Sequence, residues 1–318
     1  MINKRDRYHG ALVGVLAGDS LGAPYETWDA TRIKVDLEKR GGLVPFDYPN
    51  PWSKTEPAEV CPRGRPTDDA DHTAALAQSL IECEGVDQRD IFYRLRMVVF
   101  DHVSPLWSGQ AFGAGKNTRN ALRPPTWQAS RSRPYDETQE YPSNGSVMRC
   151  ASLALFFGSF YQVDDKIVDL MTTVTHRHPI AIHATRAQVL LLSGLLDGIS
   201  PVTVIRNTIR LLPESSEVEE VLQNCREEPR DPESWPGRGA ATLTLHVALW
   251  SLLTTSNFRD GITKAVSIGG DTDTYAAVAG ALLGAYYGYD AIPQEWRDVL
   301  LGRKIMESIA DRLYEISG

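Results

Sequence analysis

The sequence predicts an all-α fold, on two observations. Apolar residues recur at helical spacing along most of the chain, and alternating runs long enough for strands are scarce. At 318 residues, 42% hydrophobic and 23% charged, the chain has ample apolar material for a core. Length alone allows roughly two domains. The breaks between helices, however, are not the Gly/Ser-rich type that links independent units, so a single domain over 1–318 is expected.

Taken in order, the first helix is expected over 5–22, where Gly10, Gly14, Gly18 and Gly22 recur every four residues. A second follows over 29–40. Residues 44–66 then carry Pro45, Pro49, Pro51, Pro57, Pro62 and Pro66, too many for a regular element. A helix over 69–84 starts within PTDDADH (66–72), and another follows over 87–102. The irregular stretch 123–143 ends at SNGSV, a turn signal that opens a helix over 146–160. Helices over 164–174, 179–197 and 201–211 precede a third irregular stretch, 226–239. Beyond it lie helices over 239–255, 258–266, 273–287 and 303–316, the third of them carrying Ala276, Gly280 and Gly284 with Gly288 behind it. Two ridges of small residues let backbones approach closely, so the first helix and the 273–287 helix are expected to pack together. That packing would bring Asp19 and Glu26 towards Asp271.

A formal charge of −8 argues against a general nucleic-acid binder, though not against a small anion held by backbone amides. No run of about 18 uninterrupted apolar residues suggests a membrane span. Cys61, Cys83, Cys150 and Cys225 lie far apart without CxxC spacing, which suits reduced thiols. With a polar, charged start, a cytoplasmic and monomeric protein is expected.

Two acidic clusters stand out. Asp271, Thr272, Asp273 and Thr274 follow two glycines at the head of a small-residue helix, and Thr67, Asp68 and Asp69 head another. Such oxygens cap helices. Adjacent carboxylates also repel unless a cation or proton compensates, and hard divalent ions prefer oxygen ligands. Two clusters together suit a pair of ions roughly 3.5–4 Å apart. From the residues alone, capping and metal binding both stay open. FGAGKNT at 112–118 is not a phosphate loop, because Gln110 stands where glycine is required and Asn117 where Ser or Thr is. His176, His178 and His183 lack cysteine or carboxylate partners at zinc-site spacing, which favours structural histidines. The Asn144–Gly145–Ser146 turn could present amides to a phosphate, but Asn-Gly is above all a turn signal.

Five motifs in order, GALVGVLAGDSLGAPYE (10–26), GRPTDDADHTAAL (64–76), SNGSVMRCASLAL (143–155), THRHPIAIHA (175–184) and SIGGDTDTYAAVAGALLGAYYG (267–288), resemble the ADP-ribosylglycohydrolase family of dinitrogenase-reductase-activating glycohydrolase type. The resemblance implies a compact, single-domain orthogonal helical bundle with a two-metal cleft holding two Mg²⁺ or Mn²⁺ ions. It implies Thr67, Asp68, Asp69, Asp271, Asp273 and Thr274 as metal ligands, with Glu26, Asp69 and Asp273 as the catalytic set. Glu26 corresponds to an acidic acid/base or gating residue near the substrate ribose. Asn144, Gly145 and Ser146 correspond to a diphosphate loop, and His176 to a residue lining the cleft. His178 and His183 have no counterpart.

The implied reaction is hydrolysis of an N- or O-glycosidic bond. The expected substrate is an ADP-ribose-modified protein, an arginine side chain favoured, and the product is ADP-ribose. A non-catalytic ADP-ribose-binding or structural protein is the alternative, against which the six intact ligands argue. A metal phosphohydrolase would need its ions beside the phosphates instead of the ribose. The sequence departs from the family pattern at Ala70, Asp71 and His72, which puts substrate preference in question. The 226–239 stretch matches nothing in the family.

Overall fold

Asn3 accepts from the Asp6 N–H and so caps the first helix, α1 (Lys4–Gly22), whose residues from Gly10 onwards are all buried. The computed structural model describes residues 2–51, 58–135, 140–212, 216–232 and 239–318. Parts of the three Pro-rich stretches, at 52–57, 136–139 and 233–238, lie outside the described residues. The remaining helices are α2 (Ala30–Arg40), α3 (Asp68–Glu82), α4 (Gln88–Phe100), α5 (Lys116–Leu122), α6 (Trp127–Arg131), α7 (Ala151–Phe157) and α8 (Asp165–Thr172). After them come α9 (Pro179–Leu196), α10 (Pro201–Leu211), α11 (Ser216–Asn224), α12 (Ala241–Thr254), α13 (Phe258–Ser267), α14 (Thr272–Tyr287), α15 (Gln294–Arg297) and α16 (Arg303–Ser317).

The all-α expectation holds, with three corrections. The 44–66 stretch contains a small antiparallel pair, β1 (Tyr48–Pro49) and β2 (Val60–Cys61), with Tyr48 opposite Cys61. The helix expected over 146–160 starts only at Ala151. Residues 145–150 form turns instead, because the Asn144 N–H is tied to the Gly239 carbonyl and Arg149 Nη1 turns back to the Gly145 carbonyl. Helices α5, α6, α11 and α15 were not expected. Three of them are seven residues or fewer, too short for a helical period to show, and α11 has nine.

The glycine ridges do what their spacing predicts. A Cβ on Gly10 would lie 2.2 Å from the Gly284 carbonyl oxygen, one on Gly14 2.1 Å from that of Gly280, and one on Gly18 1.9 Å from that of Ala276. No real side chain fits those gaps. The paired positions run in opposite directions along the two helices, so α1 and α14 are antiparallel. The last ridge position, Gly22, meets Thr272 and Asp273. The C-terminal end of α1 therefore lies against the N-terminal end of α14.

One contiguous apolar cluster takes side chains from α1, α3, α4, α7, α9, α12, α13, α14 and α16. Helix α9 is long and apolar enough to cross a membrane by length and composition, but 72% of it is buried inside the fold. All four cysteines are free, with Cys83 exposed and the others buried.

Candidate active site

The first acidic cluster sits at the start of α3, yet it does not cap α3. The cap comes from α1. Asp19 accepts from the Thr67 N–H at 3.0 and 3.1 Å and from the Ala70 N–H at 3.0 Å. The Thr67 hydroxyl donates to Asp19 Oδ1 at 2.7 Å and lies 3.2 Å from Asp69 Oδ2, with no cap bond to its own helix. Asp68 and Asp69 are thereby left without a capping task, although both are buried. The second cluster behaves alike. Asp271 occupies the N-cap of α14 but makes no side-chain cap bond, and its Oδ2 accepts from Asn144 Nδ2 at 2.7 Å. The residues at the two N-cap positions, Thr67 and Asp271, thus make no side-chain cap bond, while Asp273 accepts from the Thr274 N–H inside the first turn of α14.

Left-handed backbone at Gly269 (φ +80°) and Gly270 (φ +82°) makes the turn into α14. The Thr27 N–H donates to the Gly270 carbonyl at 2.8 Å, and the Gly270 N–H to that of Trp28 at 2.9 Å. This ladder holds the segment after Glu26 against the segment before Asp271. The expected approach of Asp19 and Glu26 to the 271–274 cluster is therefore what the α1–α14 pairing produces.

Carboxylate oxygens converge in two groups. Those of Asp19, Asp69 and Asp273 lie within 4.8 Å of one another, as do those of Glu26, Asp271 and Asp273. Asp273 belongs to both. Asp69 Oδ1 and Glu26 Oε2 are buried without a hydrogen-bond partner. Burial first, and then neighbouring carboxylates, push Asp68, Asp69 and Asp273 well above the usual range, while burial raises Asp19 to about 6. Burial, with Asp271 and Asp68, raises Glu26 to about 9. An all-oxygen donor set with orphaned carboxylate oxygens fits a hard divalent cation, and these groups could hold a metal.

The opposite wall is neutral or cationic. Gly145 packs on His176, where a Cβ would meet the ring at 2.8 Å, so only glycine fits. His176 is buried between the hydroxyls of Thr175 (2.7 Å) and Ser143 (3.0 Å). Burial and the Arg149 charge hold its ring well below the usual histidine range, so it is neutral. Arg149 is buried and donates to the Gly145 carbonyl at 2.8 Å and to Thr175 Oγ1 at 2.6 Å.

A cleft of about 390 Å³ is lined by Glu26, Asp68, Asp69, Asn144, Gly145, His176, Asp271, Asp273 and Thr274. Two residues named from the sequence are absent from its wall. The Ser146 hydroxyl is fully buried behind the turn and accepts from Thr185 Oγ1, and Thr67 lies beneath Asp69. His178 caps α9, accepting from the Ile180 N–H, and His183 lies on the same helix within reach of the Arg186 charge.

Sequence reasoning missed the 113–118 segment. Its rejection as a phosphate loop stands, but Gly113, Gly115, Lys116, Asn117 and Thr118 line the cleft. A Cβ on Gly113 would lie 2.3 Å from Asp68 Oδ1. The available signal was two glycines followed by polar residues at a helix start. Asp19 was placed near the site but not recognised as the cap of α3, since nothing local connects it to residues 48 positions away.

A family model described as ADP-ribosylglycohydrolase matches residues 1–318. An ADP-ribosylarginine hydrolase, Tri1, of Serratia proteamaculans is 28% identical over 97% of this chain and 79% of its own length. An ADP-ribosyl-[dinitrogen reductase] glycohydrolase of Rhodospirillum rubrum is 26% identical over 98% and 97% of the respective chains. A solved structure titled ADP-ribosylglycohydrolase-related protein complex superposes with a TM-score of 0.77 at 30% identity and full coverage of both chains.

Proposed function

This chain belongs to the ADP-ribosylglycohydrolase family, a family of hydrolases that remove ADP-ribose from modified acceptors, and we propose that its own acceptor is an arginine side chain of a modified protein. The proposal extends to a pair of divalent cations, Mg²⁺ or Mn²⁺, in a single-domain enzyme. The carrying observation is that carboxylates from both acidic clusters converge on one cleft, with α3 capped from α1 by Asp19 and with Asp271 making no cap bond to α14. The arginine preference is supported by the activity for which the Serratia relative is named.

In this reading Asp68, Asp69, Asp271, Asp273, Thr67 and Thr274 hold the ions. When bound, the cations supply Lewis-acid stabilisation and a template for the ribose hydroxyls. The chain's own groups do the rest. The Thr67 proton is already committed to Asp19, which leaves hydroxyl lone pairs free as a donor. The turn at Gly145 serves the diphosphate; it is fixed by Arg149 behind it, by the Asn144 N–H on the Gly239 carbonyl and by the Asn144 side chain on Asp271. Glu26, whose burial favours its protonated form, gives a proton to the departing acceptor in this reading.

A release assay tests the substrate class. With Mg²⁺ or Mn²⁺ present, ADP-ribose is expected to leave an arginine-linked peptide faster than serine- or nucleic-acid-linked substrates. Preference for either of the latter would replace the arginine assignment.

The acidic cleft also makes a stability prediction. Asp19 and Glu26 hold their protons more tightly in the folded chain than in the unfolded one, so the stability they contribute is complete below about pH 4 and lost as pH rises towards 9. Chelated protein is therefore expected to melt at lower temperature at pH 8 than at pH 5.5. Cation binding reverses this most at pH 8, by about 2.7 kcal/mol at roughly 100 times Kd. Melting curves that coincide with and without chelator at both pH values would remove the metal from the reading.

A further inference from the structure

We propose that His72 is a positioning residue for Asp68, its Nδ1–H donating to the Asp68 carboxylate when that carboxylate holds a cation. The inference rests on the metal reading of the acidic cleft and deepens it.

His72 lies one turn after Asp68 on α3 and is completely buried. Among the described residues, neither ring nitrogen has a hydrogen-bond partner. A buried imidazole in that condition carries the desolvation cost of two polar atoms with no bond in return, and an apolar side chain of similar size would avoid it. Fold stability therefore gives no reason for histidine here. Its Nδ1 lies 3.6 Å from Asp68 Oδ2, just beyond hydrogen-bonding distance, and a small turn of the Asp68 carboxylate closes the gap.

Asp68 is also the cleft aspartate that needs such a partner. Asp19 accepts from Thr67 and Ala70, Asp69 from Thr67 and Thr274, Asp271 from Asn144, and Asp273 from the Thr274 N–H. The Asp68 carboxylate accepts from its own backbone N–H, and among the described residues His72 is the side chain that stands within reach to add a donor from outside. Carboxylates that hold metal ions are normally fixed by hydrogen bonds of their own. Asp68 Oδ1 is directed at Gly113, so Oδ2 is the oxygen free to meet the ring.

The surroundings fit this task. Burial and the buried Arg149 guanidinium keep the ring neutral, with one donor and one acceptor nitrogen, so no second positive charge stands behind the ion. Arg149 Nε is itself without a partner, and Arg149 holds the Gly145 carbonyl. One buried cation thus serves both the 144–146 turn and the ring behind Asp68. The departure from the family pattern at His72 reads, on this account, as an added support for a metal ligand.

The test measures Mn²⁺ affinity by electron paramagnetic resonance, without substrate, on full-length wild type, His72→Phe and His72→Asn. Phe fills the space without a donor, and the Asn amide restores a donor near the Nδ1 position. Affinity is expected to fall roughly 10–100-fold in His72→Phe and to recover most of that loss in His72→Asn. In chelator, His72→Phe should melt no lower than wild type, since it removes two unsatisfied buried atoms. Equal Mn²⁺ affinity in wild type and His72→Phe overturns the role of His72 alone. So does a loss in His72→Phe that is matched by a lower melting point in chelator and not relieved in His72→Asn. Wild-type protein that binds no Mn²⁺ overturns the metal reading and this proposal with it.

Discussion

Asp273→Ala is expected to abolish turnover and to lower the bound divalent ion, because Asp273 is the residue common to both carboxylate groups in the cleft. Losing Asp69 or Asp271 would weaken one group, whereas losing Asp273 opens both. Lewis-acid stabilisation is worth several kcal/mol, and about 4 kcal/mol is already roughly a thousandfold in rate. The variant should nevertheless fold. Asp273 is buried among like charges that raise its proton affinity, so its removal relieves repulsion in the cation-free protein. The measurements are single-turnover release of ADP-ribose, metal content, and melting in chelator. Wild-type activity retained in excess chelator would rule out the two-ion cleft. A melting point well below the chelated wild type would assign the loss to misfolding.

Glu26→Gln is expected to reduce turnover by roughly 10²–10⁴ while ADP-ribose binding survives. The sequence places Glu26 just past Gly22 and Pro24, on a segment with no internal reason to be buried. In the structure it follows a short turn of 3₁₀ helix at Ala23–Tyr25, and Oε2 is buried without a partner. A solvated surface glutamate is therefore not what this residue is. Glutamine keeps the shape and removes the titrating proton, and the turn that faces the diphosphate is untouched. Because burial and the aspartates raise Glu26 to about 9 without cations, and cations offset those charges, its titration in the loaded enzyme should fall below that value. Activity of the wild type should decline on the alkaline side, and this limb should flatten in Glu26→Gln. Unchanged turnover would remove Glu26 from the chemistry. Lost ADP-ribose binding would make it a structural residue or a metal ligand.

The fold was largely legible because its signals are local and repeated. Twelve helices follow from apolar spacing, and the α1–α14 pairing follows from glycines four residues apart, whose backbones can approach only one another. The corrections fall where local signals fade. Helices α5, α6 and α15 have seven residues or fewer, and turns replace the first helical turn expected after SNGSV because Gly239, far away in sequence, and Arg149, four residues on, hold the chain there.

The sequence by itself determined the acidic residues, their positions at two helix starts, and the ridge that brings those starts together. It could not decide between capping and metal binding, because either role takes the same side chains at the same place. What only the tertiary structure decided is where the α3 cap comes from, Asp19 on α1, and hence that Asp68 and Asp69 are left to the cleft. The same distinction explains Ser146, which sits in a recognisable turn but spends its hydroxyl on Thr185 behind the cleft. It explains Gly113 as well, which meets Asp68 only once the chain has folded, while His72 stands one helical turn from Asp68 and owes to packing only its burial. Side-chain chemistry is written locally, whereas the direction in which a side chain is used depends on which hydrogen-bonding partners distant elements deliver, and that is a property of packing.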